Sequence, residues 1–275
     1  MTNDISERRR VFLAVLAIDG VVAAPGTANV SEAVRRAVAD ARAAGHHVVL
    51  ASGRSLVGVL QVARELGIDA GWALASHGAV TARLNPAAEG FEVHDARVFD
   101  PAPVARRVRS AFPGARVAAE LTGGRGYRVT HLFGGHELDG AQEMQALAKV
   151  IERPTTRLVL TAPGIVSMVG KLHATGTTVR TQGTSRLDVT APGVSMAGVL
   201  ENVRTKLDVP PHNTVAVGCG FNDLELLSWA RRDVAMGDAL DVVRARSKEI
   251  TGTFEQDGVV AVLSSLPLEA TTAGR

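Results

Sequence analysis

The sequence predicts an α/β fold: a parallel sheet covered by helices on both faces, with a second, smaller α/β unit inserted partway along the chain. Three observations carry this expectation. Short, fully apolar runs of strand length alternate with stretches in which apolar residues recur at helical spacing; the alternation breaks after about Leu84; and it resumes from Ser185. Val11 to Ile18 has the length and composition of a strand buried on both faces. Ser31 then opens a helix in which Val34, Ala37, Val38 and Ala41 fall at i, i+3, i+4 and i+7, and Gly45 closes it. His47 to Ser52 reads as a second strand, Ser55 to Leu66 as a helix closed by Gly67, and Gly71 to Ser76 as a third strand. Ligands of such sheets sit at the carboxyl ends of the strands.

Beyond Leu84 the character changes. Asn85-Pro86 marks a turn and Pro101 to Phe112 a short helix, while Ala115 to Glu120 and Gly126 to Phe133 read as alternating strands with breaks at Gly123-Gly124 and Gly134-Gly135. Thr156 to Thr161 and Thr177 to Thr181 add two further strands. From Ser185 the buried rhythm returns: Arg186 to Thr190 as strand, Ser195 to Leu207 as helix, Thr214 to Gly218 as strand, Phe221 to Ala230 as helix. The expected organisation is a discontinuous core, residues 1–84 and 185–275, with an inserted α/β cap over 85–184.

Length and composition fit this reading. The 275 residues allow one large or two modest domains. A hydrophobic fraction of 46% with 21% charged residues excludes disorder, collagen and coiled coil for the whole chain. The single cysteine, Cys219, can form no internal disulfide, and no Cys/His spacing resembles a zinc site, so a reducing cytoplasm is the expected setting. Arg8-Arg9-Arg10 before an apolar run imitates a secretory signal. That run stops at Asp19-Gly20, however, and Asp4 and Glu7 dilute the positive start. No run reaches membrane-spanning length, so no membrane association is expected. A net charge of +2 with one Tyr and two Trp offers little for nucleic-acid bases to stack on, and no nucleic acid is expected as partner.

The strand ends carry short polar or glycine-rich segments: Ala17-Ile18-Asp19-Gly20, Ala51-Ser52-Gly53-Arg54, Ser76-His77-Gly78-Ala79 and Gly218-Cys219-Gly220-Phe221-Asn222-Asp223. In this order, and with Val234 to Ala239 and Thr251 to Leu263 following, the chain resembles the haloacid dehalogenase (HAD) superfamily. Specifically, it resembles the Cof-type sugar and nucleotide phosphatases, which carry an α/β cap between their second and third motifs. The resemblance runs from about Val11 to Leu266 and implies a HAD-like Rossmannoid core. It also implies a phosphoryl-transfer site: a carboxylate nucleophile, an acid/base carboxylate two residues later, a hydroxyl, a lysine and carboxylates that hold Mg²⁺.

Several of these positions depart from the pattern. The nucleophile position is Ala17 and the following threonine position Val21, while the acid/base position, Asp19, and the hydroxyl, Ser52, are kept. The lysine position is Met196 and the leading carboxylate of the last motif is Cys219; Asn222 and Asp223 remain. Losing a nucleophile costs on the order of 10⁴ to 10⁶ in rate and losing one charge-stabilising donor about 10² to 10³. Mg²⁺-dependent phosphatase activity is therefore expected to be absent, with no metal and no cofactor.

Ala17, Val21, Met196 and Phe221 suggest an apolar pocket for a small molecule under the cap. Within it, Asp19 is either an acid/base group or a structural acceptor. His77 is either catalytic or a hydrogen-bonding group in its loop, and Cys219 either a nucleophile or a small buried hydrophobe. Asn222 and Asp223 read as helix caps that also border the pocket, and Arg54 as an anion clamp or a partner of Asp19 or Asp223. The leading expectation is a repurposed enzyme performing metal-independent acid/base chemistry (isomerisation, cyclisation or elimination) on a largely apolar molecule. The alternatives are a non-catalytic pseudophosphatase with a protein partner and a residual HAD-type phosphohydrolase.

Overall fold

The computed structural model describes residues 11–87, 90–122, 126–135 and 137–267. The Arg8-Arg9-Arg10 segment and the Gly123-Gly124 break lie outside them. In chain order the strands are β1 (Leu13–Leu16), β2 (His47–Ala51), β3 (Gly71–Ala75), β4 (Val80–Asn85), β5 (Gly90–Ala96), β6 (Arg116–Glu120), β7 (Gly126–Val129), β8 (Ala141–Met144), β9 (Arg157–Thr161), β10 (Thr178–Gln182), β11 (Arg186–Thr190), β12 (Thr214–Gly218), β13 (Arg232–Ala235) and β14 (Glu249–Ile250). They form an eight-stranded sheet ordered β14-β13-β12-β1-β2-β3-β4-β5 and a six-stranded sheet ordered β10-β11-β9-β6-β7-β8.

The first sheet is parallel from β14 to β3 and antiparallel at β4 and β5. All four side chains of β1 are buried, as a central strand covered on both faces requires. Burying each such aliphatic side chain fully contributes about 1.5 to 3 kcal/mol. Two helices enter as the sequence predicts. In α1 (Glu32–Ala43) the Ser31 hydroxyl accepts from Val34 N–H, and Val34, Ala37, Val38 and Ala41 face the core. In α2 (Leu56–Glu65) Ser55 caps in the same way, accepting from Gly58 N–H. Among the described residues no helix is long and apolar enough to cross a membrane.

Sheet membership shifts both expected boundaries. β5, beyond Leu84, extends the core sheet by pairing with β4. β11, expected in the core, pairs with β9 and β10 and so belongs to the cap sheet. A buried apolar strand does not declare which sheet it joins, and pairing partners decide it. The helix expected over Phe221 to Ala230 is a short 3-10 turn, Phe221–Asp223, followed by an α-helix, Leu224–Trp229.

Core and cap meet through a buried ionic cluster. Arg157 of β9 is 2% exposed, and Glu120 and Asp188 beside it are fully buried. Arg157 Nε donates to Glu120 and Nη1 to Asp188, each at 3.1 Å. The same guanidinium donates to the Gly53 carbonyl of the core and to the Tyr127 hydroxyl. From the core, the Ser76 hydroxyl donates to Glu120 at 2.6 Å and the His77 ring pairs with Asp188 at 3.0 Å. Ser76 and His77 adopt positive φ, 51° and 59°, a region that costs a non-glycine residue about 1 to 2 kcal/mol. Their amides are held by the carbonyls of Arg54 and Ser52, and their side chains by the cap.

Two outcomes follow for folding. Arg157→Met leaves the buried Glu120 carboxylate without a cation and Asp188 with Arg186 alone, and should lower unfolding free energy in urea by about 3 to 5 kcal/mol; adding Glu120→Gln should recover a large part of it. Gly53→Ala would place a Cβ 2.3 Å from the buried His77 ring. It should cost about 2 kcal/mol or more in the same measurement, although Gly to Ala is usually near neutral or stabilising where φ is negative.

Candidate active site

The carboxyl ends of β1, β2 and β12 converge at the middle of the core sheet, where a parallel α/β sheet opens its ligand crevice. The cap closes this crevice into a cleft of about 410 Å³. From the core it is lined by Asp19 after β1, Ser52, Gly53 and Arg54 after β2, and Gly220 to Asp223 after β12. The cap contributes Glu137, Asp139, Arg157 and, from the β10–β11 hairpin, Thr181, Gln182, Gly183 and Arg186.

Asp19 and Arg54 form the floor as a two-point ion pair: Nε to Oδ2 at 3.1 Å and Nη2 to Oδ1 at 2.5 Å. Asp19 also accepts from Gly26 N–H at 3.0 Å. Of the two partners the sequence leaves open for Arg54, Asp19 is therefore the one it takes. Asp223 turns its Oδ2 onto the amides of Cys219 and Gly220, at 2.9 and 2.8 Å, folding the loop after β12 back on itself. Burial pushes the Asp223 carboxyl up to about 6, the Asp19 charge adding to this and the two amides opposing it. Burial also raises Asp139, against the nearby Arg54 and Arg157 cations.

Of the sequence-derived residues, Asp19, Ser52, Arg54, Phe221, Asn222 and Asp223 line this cleft. The others do not. Ala17 and Val21 are at most 2% exposed and, with Met196 at the start of the helix Met196–Lys206, pack into the hydrophobic core below the cleft floor. The lining is accordingly mixed: Asp19, Arg54, Asp139, Arg157 and Arg186 stand beside Ile18, Pro25, Phe221 and Leu240, so the expectation of an apolar lining is met only in part. His77 is fully buried at the core–cap junction; burial lowers its pKa against the pull of Asp188. With Nε2–H donated to the ionised Asp188, Nδ1 has no hydrogen-bond partner. His77 does not reach the cleft, so it forms no catalytic pair with Asp19 there. Burial, reinforced by the charges of Asp238, Asp223 and Asp19, pushes the Cys219 thiol up to about 11. This favours the thiol over the nucleophilic thiolate at neutral pH.

Sequence reasoning missed the cap side altogether: Glu137, Asp139, Arg157 and Arg186. The Asp139 carboxyl lies against Gly58, where a Cβ would stand 2.4 Å from it, so this close seat exists only because α2 carries a glycine there. Isolated charged residues in a cap of unknown pairing leave no spacing pattern to read.

A HAD-type site implies Mg²⁺. Here both Asp19 oxygens are held by Arg54, the protonated Cys219 stands where a carboxylate is needed, and one Asp223 oxygen is occupied by two amides. Among the described residues no group of three or more His, Cys, Asp and Glu side chains is placed to hold a metal. The residues present do not fit a hard octahedral cation.

The chain matches the profile of a known family, haloacid dehalogenase-like hydrolase, over residues 15–110 and 156–263. The Bacillus subtilis protein 5-amino-6-(5-phospho-D-ribitylamino)uracil phosphatase YcsE is 34% identical over 79 residues, 29% of this chain and 32% of YcsE. YkrA of the same organism is 25% identical over 256 residues, 87% of this chain and 92% of YkrA. A solved haloacid dehalogenase-like hydrolase from Bacteroides thetaiotaomicron superposes with a TM-score of 0.77 at 21% identity, covering 92% of this chain and 98% of that one, a likeness that shows the fold. The expectation that classical, Mg²⁺-dependent phosphatase activity is absent is contradicted by these relatives, several of which bear the names of phosphatases. A match over most of the chain, together with the fold and the strand-end cleft, establishes that this protein belongs to the haloacid dehalogenase-like hydrolase family.

Proposed function

We propose that the chain hydrolyses the phosphate ester of a small molecule held between core and cap, with water as the nucleophile. The observation that carries this is the convergence in one cleft of Ser52 and Arg54, at the amino end of α2, with two carboxyls raised by burial, Asp139 and Asp223. The positive end of a helix with a hydroxyl and a guanidinium beside it suits a phosphoryl group. Such groups belong to the chemistry named for YcsE and other relatives.

Position 17 is alanine, so no side-chain oxygen is available there to carry the phosphoryl group. In the proposed step a water oxygen bonds to phosphorus while the phosphorus–ester oxygen bond breaks, and its electron pair leaves with the ester oxygen. The Asp139 carboxylate takes the water proton; the Asp223 carboxyl, the more strongly raised of the two, gives a proton to the departing oxygen. The products are an alcohol and inorganic phosphate. Asp19 holds Arg54 in place rather than exchanging protons itself, and no metal enters the step. The acid/base chemistry expected from the sequence is thus kept but moved to Asp223 and Asp139, and the ligand is charged rather than apolar.

The test is phosphate release from a panel of phosphorylated sugars and ribityl compounds by the purified chain in ¹⁸O water, followed through a single turnover. One solvent ¹⁸O in the released phosphate is expected. Arg54→Met should lower kcat/KM by about 10²-fold. Absence of phosphate release across the panel overturns the reading. The rate should fall as pH rises through about 6, as Asp223 loses the proton it donates. Asp223→Asn should lower kcat by about 10² to 10⁴ and abolish that limb of the pH profile.

A further inference from the structure

The cap sheet has a second face. Tyr127 and Arg128 are neighbours on β7 and so point to opposite sides of the sheet. Tyr127 meets Arg157 on the side of the core, whereas Arg128 lines a separate cavity of about 410 Å³ with Arg153, Lys149, Gln145, Glu143 and Glu152.

Arg128 is 7% exposed. Arg157, its more deeply buried counterpart at 2%, is met by two carboxylates; among the described residues Arg128 is met by none. Among the described residues its guanidinium makes one hydrogen bond, from Nη2 to the Arg153 carbonyl at 3.4 Å, and its buried Nε has no partner. The acidic neighbours do not fill this need. Glu152 is engaged by Lys149 Nζ at 2.8 Å, and Glu143 stands level with Arg128 on β8 but is exposed at the rim. Burial, and then the like charge of Arg153, hold the Arg128 guanidinium below its ordinary pKa, while Glu143 and Glu152 act in the opposite direction. A desolvated cation beside a second cation, with an unmade hydrogen bond and a cavity alongside, is the arrangement that an anion relieves.

We propose that this cavity is a binding site, separate from the cleft, for the phosphate group of a small molecule, received by Arg128 and Arg153 with Lys149 at its edge. Phosphate matches the two guanidinium groups with up to two negative charges and several acceptor oxygens, each fork being able to donate in parallel. A monocarboxylate shares the oxyanion chemistry with half the charge.

The probe is inorganic phosphate, titrated by calorimetry at fixed ionic strength into the full chain carrying Arg54→Met, which disables the cleft. One site is expected to remain. Adding Arg128→Gln should weaken it at least tenfold, Arg153→Ser should weaken it less, Arg128→Lys should restore only part, and acetate should bind the Arg54→Met chain at least tenfold more weakly than phosphate. Phosphate binding unchanged by Arg128→Gln, or no binding in the Arg54→Met chain, overturns the proposal. Should Arg128→Gln fail to fold, the Arg128 Nε–H resonance is followed by NMR in the Arg54→Met chain. It should move on adding phosphate, and a stationary resonance overturns the proposal equally.

Discussion

The guanidinium of Arg157 is the point on which the relation of cap to core rests. It is out of water, and so are the two carboxylates that neutralise it. Each of these ions would carry a desolvation penalty of several kcal/mol if left unpaired, so the cap is stable against the core only where all three charges meet. The Gly53 carbonyl, the Ser76 hydroxyl and the His77 ring complete the cluster from the core side. Charge balance within it is maintained by Arg186, which donates to Asp188 at 2.8 Å. Burial alone would raise Asp188, but Arg186, Arg157 and the His77 ring outweigh it and hold the carboxyl well below the usual range. Glu120 moves the other way, raised by burial against Arg157 and Ser76. The cleft lies next to this junction, and Arg157 and Arg186 border both.

The core was legible because its information is local. Ser31 and Ser55 cap the helices where the sequence places them, the periodic residues of α1 face inward, and the strand-end segments containing Asp19, Ser52 and Asp223 meet at the crevice. What could not be read was pairing between distant segments. β5 has mostly exposed side chains and lacks the continuous apolar run of a buried strand, yet it extends the core sheet. β11 has that pattern but joins the cap. His77 looks like a loop histidine until Asp188 arrives over it from 111 residues away.

The apolar replacements at the family's site positions have a simpler meaning than the sequence suggested. Ala17, Val21 and Met196 are continuous with the core cluster formed by β1, β2 and their neighbours. Their apolar character belongs to the packing beneath the cleft, while the surface that a ligand meets is set by the Asp19–Arg54 pair, the loop after β12 and the cap. A pattern of lost polar residues in one dimension does not report the polarity of a pocket whose far wall comes from another part of the chain.

Gly53 has two neighbours that the chain separates widely: its carbonyl accepts from Arg157, and its missing side chain makes room for the ring of His77. Natural variation at these positions is therefore linked. A homologue that replaces His77 by a smaller residue gains room for a side chain at position 53 but loses a donor to Asp188, and one that replaces Arg157 must neutralise position 120 and leaves position 188 to Arg186 alone. Across aligned sequences, positions 53, 77, 120, 157 and 188 should change as a set, so that the docking of cap on core is recorded as covariation among residues with no proximity in sequence.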